Sequence, residues 1–256
     1  MSRVRISACI IAKDEADRIG PCLDSVSFCD EVLVVDSGST DGTQDLCRAA
    51  GARVIETDWP GWVAQKRRAV DAAEHDWILS LDADERVDAE LRAAIEALRD
   101  DLGDGGTPAY EVTRKTFYLG RWILHGGWYP EWRVRLFDRR RAHWAGIDPH
   151  DRVEVEGAVG RIRDGNLEHF TYRSIDDHIA QMKPYGLKSW WNLRNDDIFV
   201  YRWGDPDYVR EFLQFFDEDS TAGYYVGSDG YVWGREFISK NPALSGELEI
   251  EKHWYR

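Results

Sequence analysis

The stretch from Trp77 to Glu85, WILSLDADE, carries three carboxylates, Asp82, Asp84 and Glu85, at the end of a short apolar run. Trp77, Ile78, Leu79 and Leu81, interrupted only by Ser80, read as a buried, parallel strand. Acids at the carboxyl end of such a strand are costly unless something neutralises them. Ligands of open α/β sheets sit beyond that end, and Mg²⁺ is held there by one or two carboxylates together with substrate phosphates. An Asp-x-Asp in this place is therefore a candidate site for a metal diphosphate. The tetrapeptide alone is equally compatible with solvated acids ahead of a helix.

The elements around it must bring further groups to the same edge. Ile6 to Ala12 reads as a first buried strand, followed at once by Lys13-Asp14-Glu15. Ile19, Leu23 and Val26 recur at helical spacing. Glu31 to Val35 is a second strand, running into the small-residue turn Asp36 to Thr43 with Thr40 or Asp41 as N-cap. A helix then extends to Gly51, a C′ residue. Arg53 to Thr57 is a third strand, Gly61 to Ala73 a helix, and Asp88 caps a helix reaching Leu98. Strand and helix alternate four times with short connections. This predicts an α/β fold with a parallel sheet covered on both faces, whose strand-end acids Asp14, Asp36, Asp82 and Asp84 converge. Capping and turn chemistry compete for Asp14 and Asp36.

Composition narrows the function. The 256 residues hold 33 basic and 47 acidic side chains, a net charge of −14, which argues against nucleic-acid binding. Cys9, Cys22, Cys29 and Cys47 lack C-x-x-C spacing and read as buried free thiols in a reducing compartment. No signal peptide or membrane-spanning run is visible, so a cytoplasmic location is expected, with membrane contact only at the surface.

The segments SACIIAKDE, VLVVDSGSTDGT, WPGWVAQKRRA and WILSLDADE resemble, in order and spacing, the nucleotide-sugar domain of family 2 glycosyltransferases, closest to the bacterial lipopolysaccharide inner-core glucosyltransferases. The resemblance covers about residues 5–195. It implies a GT-A fold, a UDP-sugar donor with glucose the expected hexose, Mg²⁺ or Mn²⁺, and inverting transfer to a lipopolysaccharide core saccharide. Carried over by residue, Ala12, Asp14 and Asp36 would contact the nucleoside and Lys66 would lie near the diphosphate. Asp82 would hold ribose or a metal water, and Asp84 would bind the metal. Asp14 and Arg67 stand where the family usually has Asn, which changes the charge beside the donor.

Residues 1–100 then form the nucleotide-sugar half and 101–195 the acceptor half. Tyr110 to Phe117 and Arg133 to Phe137 alternate like strands, and the GGWYPEW between them also resembles the family. Inverting transfer needs one base for the acceptor hydroxyl; Glu131 and Asp151 are the candidates, with Glu131 favoured by its Gly-Gly turn and aromatic neighbours. His169 is a candidate third metal ligand, against the reading of a satisfied core histidine. Arg133, Arg135, Arg139, Arg140 and Arg141 form a run suited to a phosphorylated acceptor or to a solvated face. Trp122, Trp128 and Trp132 could stack on sugars or fill the core. Ile175 to Leu193 reads as a helix interrupted at Pro184.

After Asn195 the chain changes character. Residues 196–256 hold 13 acids and 6 bases, half of the total excess charge, and resemble a piece of a sugar-hydrolase barrel, with a strand at Ile198 to Tyr201, a helix at Tyr208 to Phe216 and a Gly-rich loop at Gly227 to Gly234. A fusion junction near residue 195 is one reading, a divergent extension the other. Two further functions follow: a nucleotide- or saccharide-binding protein without turnover, or hydrolysis by tail acids such as Asp229 and Glu236.

Overall fold

A computed structural model describes residues 3–174 except 104, 119, 126, 127 and 149, together with the backbone of three short strands farther on. The chain divides into two units, residues up to 117 with 122–171, and residues 118–121 with 172–256.

In the first unit four parallel strands are laid down as expected. They are β1 (Ile6–Ala12), β2 (Glu31–Asp36), β3 (Arg53–Glu56) and β4 (Trp77–Asp82), in the spatial order β3-β2-β1-β4. The helices between them are α1 (Ile19–Ser25), α2 (Thr43–Ala49) and α3 (Trp62–Ala72). The apolar runs follow from burial on both faces. In β1, Ala8 and Ile10 join one core with Leu23 and Ile95, whereas Cys9 and Ile11 join the opposite core with Ala69, Val70 and Phe137. Gly51 lies just past α2 with φ 84°, as a C′ residue should. Its N-terminus differs from expectation: Gly42 is the cap residue, and the Asp41 carboxylate instead accepts from the Thr43 amide at 3.0 Å.

Beyond β4 the sheet becomes mixed. A short strand β5 (Glu85–Val87) precedes α4 (Ala89–Leu98), whose N-terminus Asp88 caps through the Leu91 amide at 2.8 Å. Then come β6 (Ala109–Tyr118), β7 (Arg121–Ile123), β8 (Glu131–Asp138), β9 (Ala142–Ile147), β10 (His150–Val155), β11 (Val159–Arg161) and β12 (Leu167–His169). Strand β8 runs antiparallel to β4 and β6, and β12 lies between β6 and β5. Strands β9 and β10 form a separate antiparallel pair. In the second unit β13 (Tyr224–Gly227), β14 (Val232–Gly234) and β15 (Ile250–Glu251) form a three-stranded antiparallel sheet. The junction near residue 195, the helix over 175–193 and the tail elements at 198–201 and 208–216 lie outside the described residues. All four cysteines are free, and burial pushes the Cys47 thiol up to about 11 and Cys29 to about 12. No helix among the described residues is long and apolar enough to cross a membrane.

A carboxylate in the turn between β9 and β10 caps the first turn of α3. Asp148 Oδ1 accepts from the Val63 amide at 2.9 Å, satisfying a free N–H at the first turn and placing negative charge there. Gly61 makes this possible. Its φ is 107°, and a Cβ would stand 1.9 Å from Asp148 Oδ2. Gly61→Ala should therefore lower stability by roughly 1–3 kcal/mol through backbone strain and the displaced carboxylate. Urea unfolding of the two proteins measures this; an unchanged midpoint would mean that the turn relaxes freely.

Candidate active site

Strand β4 ends at Asp82, and Ala83-Asp84 make the turn into β5. Residues two apart on a strand share a face, so a continuing strand would point Asp82 and Asp84 the same way. The turn sends them to different partners. Asp82 Oδ2 lies 3.2 Å from Lys66 Nζ and 3.4 Å from Arg135 Nη2. Asp84 Oδ2 lies 3.4 Å from His169 Nε2 and 3.8 Å from Arg18 Nη1. Burial opposes the charge of both acids. Lys66 and Arg135 outweigh it at Asp82, and His169 and Arg18 at Asp84, so both carboxyls are held below the usual range.

Lys66 comes from the middle of α3, buried at 3% exposure, with Nζ 2.7 Å from Asp151 Oδ2 and 4.5 Å from the centre of the Trp144 ring. Asp151 lies on β10, the strand after the Asp148 turn. Arg135, from β8, donates through Nη2 to Glu85 Oε1 at 2.6 Å, and Glu85 Oε2 accepts from the Asp82 amide at 2.9 Å. Arg135 Nε and Nη1 are buried and find no hydrogen-bond partner among the described residues. Arg114 on β6 continues the chain of charge, lying 3.6 Å from Glu85 Oε1 and donating to Glu131 Oε2 at 2.7 Å. Arg133 holds the other oxygen of Glu131, with Nε at 2.9 Å. Burial would raise the Glu131 carboxyl, but the two guanidiniums bring it down to about 2.

The nucleoside candidates organise the loop after β2. Asp36 is fully buried; Oδ1 accepts from the Gly38 and Ser39 amides at 3.0 and 2.8 Å and from Gln44 Nε2 at 2.6 Å. Asp14, at φ 53°, accepts from the Thr40 amide at 2.8 Å and donates its own amide to Ser39 Oγ at 2.8 Å. Ala12 accepts from the Ser37 amide at 2.9 Å, so β1, β2 and this loop form one rigid edge.

Several expected groupings come apart. Asp82, Asp84 and His169 do not converge: Asp82 faces two cations, and among the described residues no three His, Cys, Asp or Glu side chains cluster as a metal site. Asp84 and His169 do meet, with Oδ2 3.4 Å from Nε2, which sets a carboxylate oxygen and an imidazole nitrogen side by side. With diphosphate oxygens completing the shell, this carboxylate–imidazole pair would suit a divalent cation that accepts nitrogen as well as oxygen donors, Mn²⁺ better than the oxygen-seeking Mg²⁺. The arginine run is also dispersed. Arg133 and Arg135 serve the buried network, Arg139 donates to the last carbonyls of α3 at Val70 and Ala73, Arg140 pairs with Asp138, and Arg141 donates to the Gly106 and Glu156 carbonyls. Trp122 packs on Phe117 and Phe170, and Arg161 stacks on Trp132. Arg18 and Arg114 were not singled out by sequence reading, and Glu85 was read only as the third strand-end carboxylate, with no role of its own.

Residues 7–164 match the family model described as Glycosyl transferase family 2. A lipopolysaccharide core biosynthesis glycosyltransferase of Rhizobium meliloti is 31% identical over 72% of this chain and 69% of its own length. An uncharacterised glycosyltransferase of Rickettsia bellii is 42% identical over 89% of this chain and 80% of its own. That share exceeds what residues 1–195 make up, so the similarity runs beyond residue 195. Among solved structures, glucosyl-3-phosphoglycerate synthase from Mycobacterium tuberculosis covers 71% of this chain and 77% of its own at 20% identity, with a TM-score of 0.48.

The Glu131 clamp predicts an acid dependence. A carboxyl lowered from 4.5 to about 2 stabilises the fold fully above its unfolded value and loses that contribution as pH falls toward 2. The stability gap between wild type and Glu131→Gln should be constant above about pH 5 and shrink below it, by up to roughly 3 kcal/mol. Urea unfolding across that range measures it; a gap independent of pH would show that the arginines do not hold the carboxylate.

Proposed function

The chain belongs to glycosyl transferase family 2 and has the family's α/β GT-A fold, and on that premise we propose that it transfers a hexose, with inversion, from a UDP-sugar to a saccharide of the lipopolysaccharide core. One observation carries the reading. Around the end of β4 lie a carboxylate–imidazole pair, Asp84 and His169, and a lysine–carboxylate pair, Lys66 and Asp151. Those are the two halves of the reaction: neutralising a departing diphosphate, and taking a proton from an incoming hydroxyl.

Asp84 and His169 would hold the divalent cation, which when bound neutralises charge developing on the leaving diphosphate. Lys66 supports the same role from α3. When it turns to the diphosphate, Asp82 keeps Arg135 as counter-ion and Asp151 is released from its ion pair with Lys66. Asp151 then accepts the acceptor's hydroxyl proton. The freed oxygen forms the new bond at the anomeric carbon, and the bond to the β-phosphate oxygen breaks with its electron pair leaving on UDP. The sequence favours Glu131 as base; the geometry supports Asp151. Glu131 has both oxygens engaged by arginines, and a carboxyl lowered to about 2 is a poor proton acceptor. Asp14 and Asp36, at the ends of β1 and β2, support a nucleoside seat there, and the name of the Rhizobium meliloti relative supports the core saccharide as acceptor. A cytoplasmic site at the inner-membrane surface suits such an acceptor.

Calorimetric titration of UDP with and without Mn²⁺ tests the donor site. Wild type should bind more tightly with the metal, and Asp84→Asn should lose that gain and the transfer activity. Asp151→Asn should keep UDP binding while kcat falls roughly 10²- to 10⁴-fold, whereas Glu131→Gln keeps most of its turnover. No UDP binding by folded protein would remove the reading. Full activity in Asp151→Asn would return the base to Glu131, and binding without transfer would leave a nucleotide-binding protein.

A further inference from the structure

We infer that Arg18 is a positioning residue for the cation pair Asp84–His169. This rests on the proposal that those two residues bind the divalent cation.

Arg18 stands at the entrance to α1, yet its side chain is only 10% exposed. Its side-chain contacts among the described residues lead to the cation pair or brace it. Nε and Nη2 grip both oxygens of Glu15 at 2.7 and 3.0 Å, which fixes the plane of the guanidinium. Nη1 donates to the Phe170 and Thr171 carbonyls at 2.6 and 2.8 Å. These are the two residues directly after His169. The Phe170 amide in turn donates to the Asp84 carbonyl at 2.9 Å. The loop after β1 is thus fastened through one guanidinium to the strand end that carries His169, about 150 residues later.

Other contacts hold the same strand end from the sheet side. Register with β5 and β6 sets the height of His169, opposite Glu85 and Thr116. Thr116 Oγ1 lies 3.4 Å from His169 Nδ1 and orients the ring. Phe170 packs on Phe117 and Trp122. Strand β12 is only three residues long, so the chain just after His169 relies on contacts beyond the ladder. Among them are the Phe170 amide on the Asp84 carbonyl, the Phe170 ring packing, and the two carbonyl contacts from Arg18, which tie it to the loop after β1. Supports of this kind outside the ligand shell commonly alter metal affinity by 10- to 100-fold.

An opposing effect has to be separated. Arg18 Nη1 is 3.8 Å from Asp84 Oδ2, so its charge also competes with a cation. Positioning and competition predict opposite results, and two variants distinguish them. Arg18→Lys keeps the charge but cannot reach Glu15 and two carbonyls together. Arg18→Met removes the charge as well.

The test measures Mn²⁺ binding by electron paramagnetic resonance in the presence of saturating UDP, with UDP affinity without metal and the circular dichroism melt as controls. Both variants should weaken Mn²⁺ binding by about tenfold or more while metal-free UDP binding stays at the wild-type value. Unchanged Mn²⁺ affinity in either folded variant, or tighter binding in Arg18→Met, overturns the inference. A variant that melts earlier and loses metal-free UDP binding in proportion overturns it too, in favour of a general folding role. If wild type itself binds no Mn²⁺ and His169→Ala changes nothing, the cation pair fails rather than Arg18.

Discussion

The first unit depends on a chain of alternating charges at the end of β4, buried or half-buried up to its exposed last member, Arg133. Lys66, Asp82, Arg135, Glu85, Arg114, Glu131 and Arg133 follow one another through contacts of 3.6 Å or less. They come from α3, β4, β8, β5 and β6, so each link ties a different element of the sheet to the same point. Burying such groups is unfavourable one at a time, and removing one member strands its neighbours without compensation. Glu85 shows the logic: it is wholly buried, and its two oxygens serve two arginines and the Asp82 amide. The network carries specificity of arrangement more than net stability. It explains how the antiparallel strands β6 and β8 are fixed against the parallel strands that end at β4.

How much of this was legible in the sequence follows from which forces leave a periodic trace. The parallel strands were legible because burial on both faces writes continuous apolar runs such as Ile6 to Ala12 and Trp77 to Leu81. Asp88 and Gly51 were legible because caps act through adjacent backbone. Strand β5 was not, since Glu85-Arg86-Val87 offers three residues and two charges. The pairing of β9 with β10 was missed because His150 to Val155 alternates between exposed and half-buried positions, with no apolar stripe to read. The arginine run misled for a related reason. Neighbouring positions on β8 and the turn after it face different surroundings, so residues adjacent in sequence serve partners far apart.

Glu131 shows how context overrides residue type. Aromatics and glycines around it suggest a sugar-binding wall, and a carboxylate there looks like a base. Two arginines from neighbouring strand positions reverse that by stabilising its ionised form. No spacing rule foretells such a clamp, because Arg114 reaches Glu131 across 17 residues through strand pairing alone.

The Asp-x-Asp itself works by being divided. Two carboxylates on one strand face would repel and raise each other's pKa, and Asp82 does push Asp84 in that direction. The turn at Ala83-Asp84 separates them and lets each gather its own partners, cations around Asp82 and an imidazole beside Asp84. The consequence is chemical asymmetry from a symmetric motif. Asp82 is already neutralised by protein and so suits holding Lys66 within reach of Asp151. Asp84 faces an imidazole nitrogen able to share a metal ion with it. A strand that continued straight through Asp84 would have exposed two equivalent acids; ending it at Asp82 gives the two carboxylates different surroundings.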